Sequence, residues 1–350
     1  MRRFFLLMAA TGSLACLGFG QEGPYKVIKT EKVGGEGGWD YVTADSTDRR
    51  LYVGRSGTQG RIMVYNLDNL EKVGEVPNTM RVHGATASPK SHHGFASSNP
   101  VVMFDTKTLA TIKTIDLKGN PDGYLYDPFN DRVVILSHAK PHATFINASD
   151  GSIAGIIEDL GGAPEQAASD EKGTIYIDIE DQHSIAVVDA KALTVKTHYD
   201  LAPKGDGCAG LALDAKNQIL FAACREPQNM VIVSAKDGKI LDSLPLAGGS
   251  DGAQFNPKTM EAFSSHGNGT LTVIKENSPT SFAVEQNLQT MNGARTLTLD
   301  TKTGHIFVIS AEFQPAPTPP AGQQPPAEKG GRGPRRQMVP DSFSILEIGK

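Results

Sequence analysis

A seven-bladed β-propeller is the fold that this sequence predicts: all-β, with four antiparallel strands in each blade. Three observations predict it. A motif recurs every 39–45 residues, each repeat holds four short apolar runs, and a spare strand at one end of the chain matches a missing strand at the other.

The recurrence shows in two distant stretches. "GNPDGYLYDPFNDRVVIL" (119–136) and "GSDGAQFNPKTMEAFSS" (249–265) both carry Asp-Gly, a short apolar run, Asp or Asn before Pro, a polar turn and a second apolar run. The polar residue that closes the first run recurs at Asp45, Ser88, Asp127, Ser169, Asp214, Asn256 and Asp300, with spacings of 43, 39, 42, 45, 42 and 44. That makes seven units.

The strands follow from residue type. Second runs read "RRLYVGR", "DRVVILS", "GTIYIDI", "QILFAAC" and "GHIFVIS"; third runs read "RIMVYNLD", "VVMFDTK", "SIAVVDA", "MVIVSAK" and "LTVIKEN". A turn leads to a fourth, such as "ATIKTIDL" or "KILDSLPL". Each is rich in Val, Ile, Tyr and Phe and bounded by Gly, Asp, Asn and Lys, which is strand composition. No long stretch has helical apolar periodicity. The seventh unit ends after its third strand, and "YKVIKTEKV" (25–33) precedes the first unit without a blade of its own. An open ring would expose a sheet edge, so this strand is expected to supply the outer strand of blade seven.

Seven units with second strands such as "LYVGR", "IYIDI" and "IFVIS", behind an export signal, resemble the YncE-like, YVTN-repeat propellers of bacteria, a WD40-like repeat architecture. The resemblance covers nearly all of the chain beyond the signal; the strict Tyr-Val-Thr-Asn string is absent. It implies an exported seven-bladed propeller, and many members have no assigned activity.

Two segments stand outside the repeat. Arg2 and Arg3 precede an apolar run (4–19), and the small residues Gly18 and Gly20 precede Gln21. This reads as a signal peptide over 1–20 and a periplasmic or secreted, soluble, monomeric protein over 21–350. The run is too short for a comfortable membrane span. "SLAC" offers the alternative of a lipoprotein anchored at Cys16. The second segment, 312–341, is rich in Pro, Gly, Gln and basic residues and sits between strands two and three of blade seven. It reads as a surface loop or, through Arg332, Arg335 and Arg336, as a basic docking arm. The net charge of −5 becomes −7 without Arg2 and Arg3, so the body is acidic and no nucleic-acid partner is expected.

Candidate chemistry lies at the channel mouth, where the loops leading into the blades converge. Five residues before each recurring polar residue stand Asp40, His83, Asp122, Pro164, Ala209, Asp251 and Arg295, with Trp39 and Glu165 adjacent in sequence. Loops between second and third strands add Arg55, His138, His142, His183, Arg225 and His266. In one reading each Asp caps its own turn and the His residues are ordinary loop residues. In the other, these groups bind a polar ligand or a divalent metal, with Asp40, His83, Asp122 and Asp251 as ligands. No local metal motif, Gly-x-Ser-x-Gly elbow or phosphate-binding Gly-rich loop is present.

The function expected from these features is a binding scaffold without catalysis of its own, taking a small molecule or a protein partner at the mouth. A divalent metal is the one cofactor the ring suggests. The alternative is a lactonase-like, metal-assisted hydrolase at the same place. A second alternative is a partner of a periplasmic redox enzyme, itself without c-type haem because Cys-x-x-Cys-His is absent.

Cys208 and Cys224 flank the first two strands of blade five. Pairing Leu213 with Ile219 sets Cys208 opposite Cys224, within disulfide reach. In an oxidising compartment the bond persists. Thiol titration of the denatured, unreduced protein without its first 20 residues is expected to find no free thiol; two per chain would exclude the bond.

Overall fold

Six repeats fold as four-stranded antiparallel meanders, because their polar turns leave apolar runs on both faces of the sheet, and the seventh supplies three strands. The computed structural model describes residues 22–57, 59–315 and 337–350, and every helix or strand assigned among them is a strand. Seven four-stranded sheets result. Blades one to six span 38–76, 85–115, 121–157, 164–200, 210–245 and 250–289. Blade seven combines Leu297–Leu299, Ile306–Ser310 and Ser344–Gly349 with the N-terminal strand Lys26–Lys32. Among the described residues no helix is long and apolar enough to cross a membrane.

The recurring polar residues are turn-formers. Asp45 Oδ1 accepts the N–H groups of Thr47 and Asp48, both at 3.0 Å. Asp214 Oδ1 accepts those of Lys216 at 2.9 Å and Asn217 at 3.2 Å. In five blades the residue before the second strand is left-handed: Arg49, His92, Asp131, Gln218 and Met260 have φ between 51° and 59°. An Asx turn closed by such a residue makes a tight four-residue hairpin loop.

That loop corrects the expected register in blade five. With Gln218 left-handed, Asp214 pairs with Ile219 and Leu213 with Leu220, one step from the expected Leu213–Ile219 pair. Cys208 precedes the strand Gly210–Asp214, and its sulfur is bonded to that of Cys224. Gly205 makes room: a Cβ there would lie 2.5 Å from the Cys224 sulfur.

Apolar side chains cluster between blades. Phe145 and Ile177 share a cluster between blades three and four, and Tyr52 and Phe104 one between blades one and two. Phe221 stacks on Phe255 across the next-but-one pair, blades five and six, with ring centroids 5.3 Å apart.

The N-terminal strand closes the ring. It pairs antiparallel with Ser344–Gly349, from Lys26 opposite Gly349 to Lys32 opposite Ser344. Tyr25 anchors it to blade six: its hydroxyl bonds Glu261, its N–H donates to Gln286 Oε1 at 2.9 Å, and its ring meets Phe263 edge-on. The glycine-rich link 34–38 then folds over Arg55. This arginine was expected at the mouth. Instead it is 1 % exposed, lies 3.7 Å over the Phe343 ring and donates to the carbonyls of Gly34, Gly35 and Gly37 at 2.8–3.3 Å.

The root of the 312–341 insertion is a short ladder: Gln314 N–H donates to Gln337 O and Val339 N–H to Glu312 O, both at 2.8 Å. Residues 316–336, with Arg332, Arg335 and Arg336, lie outside the described residues, as do residues 1–21 with the signal segment and Cys16.

Deleting 22–33 removes a whole strand, its ladder and the Tyr25 anchor. The unfolding free energy is expected to fall by several kcal/mol, read as a lower urea midpoint. An unchanged midpoint would mean that closure contributes nothing.

Candidate functional site

A recurring irregularity aims the side chains at the mouth. In blades one, three, four and six the first strand carries one residue more than its partner. The shifts fall between Trp39 and Val42, Pro121 and Tyr124, Pro164 and Ala167, and Ser250 and Gly252. These are β-bulges, which re-aim side chains and end regular pairing. Each contains one acid: Asp40, Asp122, Glu165 and Asp251. Glycines after three mouth residues let the inner strands approach; a Cβ on Gly123 would lie 2.3 Å from Glu165 O.

The result is a chain of alternating charge around the mouth. Glu180 Oε2 accepts from Arg225 Nη1 at 3.0 Å, and Arg225 also bonds Asp251. Asp251 Oδ2 lies 2.8 Å from Arg295 Nε, and Arg295 Nη2 lies 3.2 Å from Asp40 Oδ1. Asp40 Oδ2 is 2.8 Å from His83 Nδ1, which is 3.0 Å from Asp122 Oδ1. Asp122 Oδ2 lies 3.5 Å from His138 Nε2, itself 2.9 Å from Glu165 Oε2. Five carboxylates thus meet two arginines and two histidines. No backbone N–H bonds the side chains of Asp40, Asp122 or Asp251 among the described residues, so they are not turn caps.

Further polar side chains lie against this ring. Tyr41 reaches from blade one to Glu165, hydroxyl to Oε1 at 3.3 Å, and packs edge-on against Tyr124. The Tyr124 hydroxyl lies 2.7 Å from Thr43 Oγ1. Gln166 spans from blade four to blades five and six: its Oε1 accepts from Leu211 and Ala253 N–H, both at 3.0 Å, and its Nε2 donates to Ala253 O at 3.1 Å.

Several expected residues lie elsewhere. The bulge turns Trp39 away from the axis, against Phe343 and Phe313 at centroid distances of 5.1 and 5.9 Å, where it packs on the insertion root. His183 sits beside Asp206, 2.6 Å away, in the link between blades four and five. His266 is buried inside blade six with Nε2 2.9 Å from Thr272 Oγ1; burial pulls its pKa down to about 4, so it is neutral. His142 is likewise buried and accepts from Leu160 N–H at 3.0 Å. Asp251 stands in the ring but is held by two guanidinium groups, apart from the histidines. Sequence reasoning missed Glu180, Tyr41 and Gln166. Glu180 had a signal: like His138, it immediately follows a second strand.

The electrostatics reflect an excess of acid. Burial alone would lower the His83 pKa, but hydrogen bonds to Asp122 and Asp40 outweigh it and raise it to about 10. The Glu165 hydrogen bond raises His138 to about 9 against the pull of burial. Burial, with Asp122, Asp251 and Glu180 nearby, pushes Glu165 up to about 7 despite His138. Behind them Asp178 is wholly buried with neither oxygen bonded among the described residues. Burial first, then Glu165 and Glu180, drive its pKa well up, so it stays a neutral acid. Asp122 moves the other way: burial raises its pKa, but His83 wins and keeps it ionised.

Two sets of side chains could hold a metal ion: Asp40, His83 and Asp122, and Asp122, His138 and Glu165. Imidazole nitrogen with carboxylate oxygen is a donor set for Zn²⁺ or Mn²⁺ rather than Ca²⁺. Asp251, expected as a ligand, belongs to neither set.

In metal-free protein both imidazoles stabilise the fold while protonated. Their contribution is complete below the unfolded pKa of about 6.5 and is lost as pH rises through the folded values of about 9 and 10. After allowance for solvent screening, stability is expected to fall by about 1–2 kcal/mol between pH 6.5 and 10. The His83→Gln variant should show a smaller fall. Chelator-treated samples melted across that range test this; equal slopes for both proteins would refute it.

No protein-family model matches the chain, and no curated protein does. Among solved structures, a chain in the crystal structure of a mitotic checkpoint complex is similar, with a TM-score of 0.68 over 88 % of this chain and 95 % of that one. The two are 10 % identical, and 1720 solved chains match in all, so the likeness shows the seven-bladed propeller fold and nothing of function.

Proposed function

We propose that this chain is a binding propeller whose channel mouth takes a small polar ligand, and that a divalent metal ion is the ligand its donors fit best. One observation carries the reading. His83 Nδ1 can hold a single proton, yet it stands 2.8 Å and 3.0 Å from carboxylates of two different blades. A metal ion in place of that proton would engage all three groups. Beneath the ring, Tyr41, Tyr124 and Gln166 add hydroxyl and amide groups, the polar handles a small-ligand site uses. The exported setting suggested by residues 1–20, and kinship with YncE-like propellers, belong to the same proposal.

A second reading is a metal-assisted hydrolase. An ion on Asp40, His83 and Asp122 would leave the His138–Glu165 pair beside it, 2.9 Å apart, with Glu165 near neutrality. Such a pair could take a proton from an attacking water.

Calorimetric titration of Zn²⁺ into chelator-treated protein tests the binding reading. We expect saturable heat and a higher melting temperature, about 2.7 kcal/mol of stabilisation at a hundredfold excess over Kd. Asp122→Asn should remove both effects. Should neither Zn²⁺ nor Mn²⁺ bind, the metal reading fails.

A further inference from the structure

We propose that the mouth holds two divalent ions, with Asp122 as the bridge between them. This rests on the metal-binding reading above and goes beyond it in number, ligands and geometry. The two oxygens of Asp122 face different histidines: Oδ1 lies 3.0 Å from His83 Nδ1 and Oδ2 lies 3.5 Å from His138 Nε2. Each histidine has a second carboxylate of its own, Asp40 at 2.8 Å and Glu165 at 2.9 Å. In each set the donor atoms lie within 4.8 Å of one another. The sets share only Asp122.

The geometry needs adjustment. Tetrahedral Zn²⁺ with bonds of about 2.0–2.1 Å separates its ligands by about 3.3 Å. The histidine–carboxylate contacts here are 2.8–3.5 Å and all donors of a set lie within 4.8 Å, so the carboxylates must close on each other by at most about 1.5 Å to turn shared hydrogen bonds into coordination. Ions on the two oxygens of one carboxylate stand about 3.5–4 Å apart, the separation of two-metal hydrolytic sites. Each ion would have three protein ligands and a free position that water or an oxyanion can fill.

Charge points the same way. The side of the mouth formed by blades three and four is where acid exceeds base. Asp122 and Glu165 share His138, and Arg225, the guanidinium beside Glu180, is already committed to Glu180 and Asp251. A single ion on His83 would leave that surplus uncompensated. A second ion on His138 and Glu165 meets it.

Equilibrium dialysis of the chelator-stripped full chain against Zn²⁺, with metal counted by atomic spectrometry, tests the pair. Wild type is expected to hold two ions, His83→Ala and His138→Ala one each, and Asp122→Ala none, while His183→Ala, outside the site, keeps two. Circular dichroism confirms that each variant is folded. A measurement on wild type alone stands beside it: the six-line Mn²⁺ resonance should collapse when the second site fills, because bridged ions couple magnetically. One ion in wild type, kept in His138→Ala, overturns the pair but leaves the binding reading standing. No ion overturns both. Two ions that survive Asp122→Ala place the metal elsewhere and sink the assignment.

Discussion

The hydrophobic clusters of this molecule each lie between two blades, so ring closure decides whether the last of them is complete. A single four-stranded sheet has two apolar faces and cannot bury either by itself. The cluster between blades seven and one brings Val42, Leu51 and Tyr65 against Phe307, Ile309 and Ile345, residues about 250 or more apart in sequence. The antiparallel pairing of Lys26–Lys32 with Ser344–Gly349 ties the chain that leads into blade one to blade seven, and the Arg49–Asp300 pair crosses the seam itself. Tyr25 at one end and Arg55 at the other fix the strand by opposite means. Tyr25 binds through an aromatic contact and a carboxylate, whereas Arg55 uses three glycine carbonyls and the Phe343 face. Desolvation pulls the Arg55 pKa down to about 10, yet it remains charged at neutral pH, and those carbonyls replace the counter-ion it lacks.

Closure also creates the mouth. Parallel placement of seven first strands around one axis brings Asp40 beside His83 and Arg295, although Arg295 lies 255 residues away. The four bulges then set an acid from four blades on the rim. Carboxylates so close would repel, and the arginines and raised histidine pKa values are the response. The response is incomplete on blade four, where Asp178 stays neutral and Glu165 titrates high. A site with unspent acceptors and mobile protons is suited to exchange protons for a cation.

The fold was legible because two local rules recur: apolar runs of strand length and an Asx or Ser turn at a fixed place. Asp45, Asp127 and Asp214 end their first strands as expected, and the spare N-terminal strand fills blade seven. The site was legible in part. Counting from the repeat found Asp40, His83 and Asp122, because one position per blade faces the axis. Trp39, taken as a neighbour of Asp40, turns away, because a single inserted residue exchanges the two faces of a strand and no sequence rule announces the insertion; His266, expected in a loop, is instead the buried last residue of a second strand. Pro164 held the counted position, and the bulge gave its place to Glu165. The Cys208–Cys224 bond shows the same sensitivity. The cysteines meet, although the register beneath them is one residue from the one expected, because Gln218 adopts a left-handed conformation that sequence did not reveal.

The seam and the site are physically one system. Asp40 belongs to blade one, and Arg295, its partner, to blade seven, so the Asp40–Arg295 contact crosses the joint that the N-terminal strand secures. Loosening the joint would withdraw Arg295 from Asp40 and leave that carboxylate to His83 alone. A cation bound by blades one, two and three would act in the opposite sense, adding coordination bonds to the side-chain hydrogen bonds, Asp40–His83–Asp122 and Thr43–Tyr124 among them, that already tie these blades together. Anything that binds the closed ring and not the open chain stabilises it in proportion to its occupancy. The ring therefore holds the ligands in place, and a ligand in the mouth would in turn hold the ring, with Asp40 as the residue through which both effects pass.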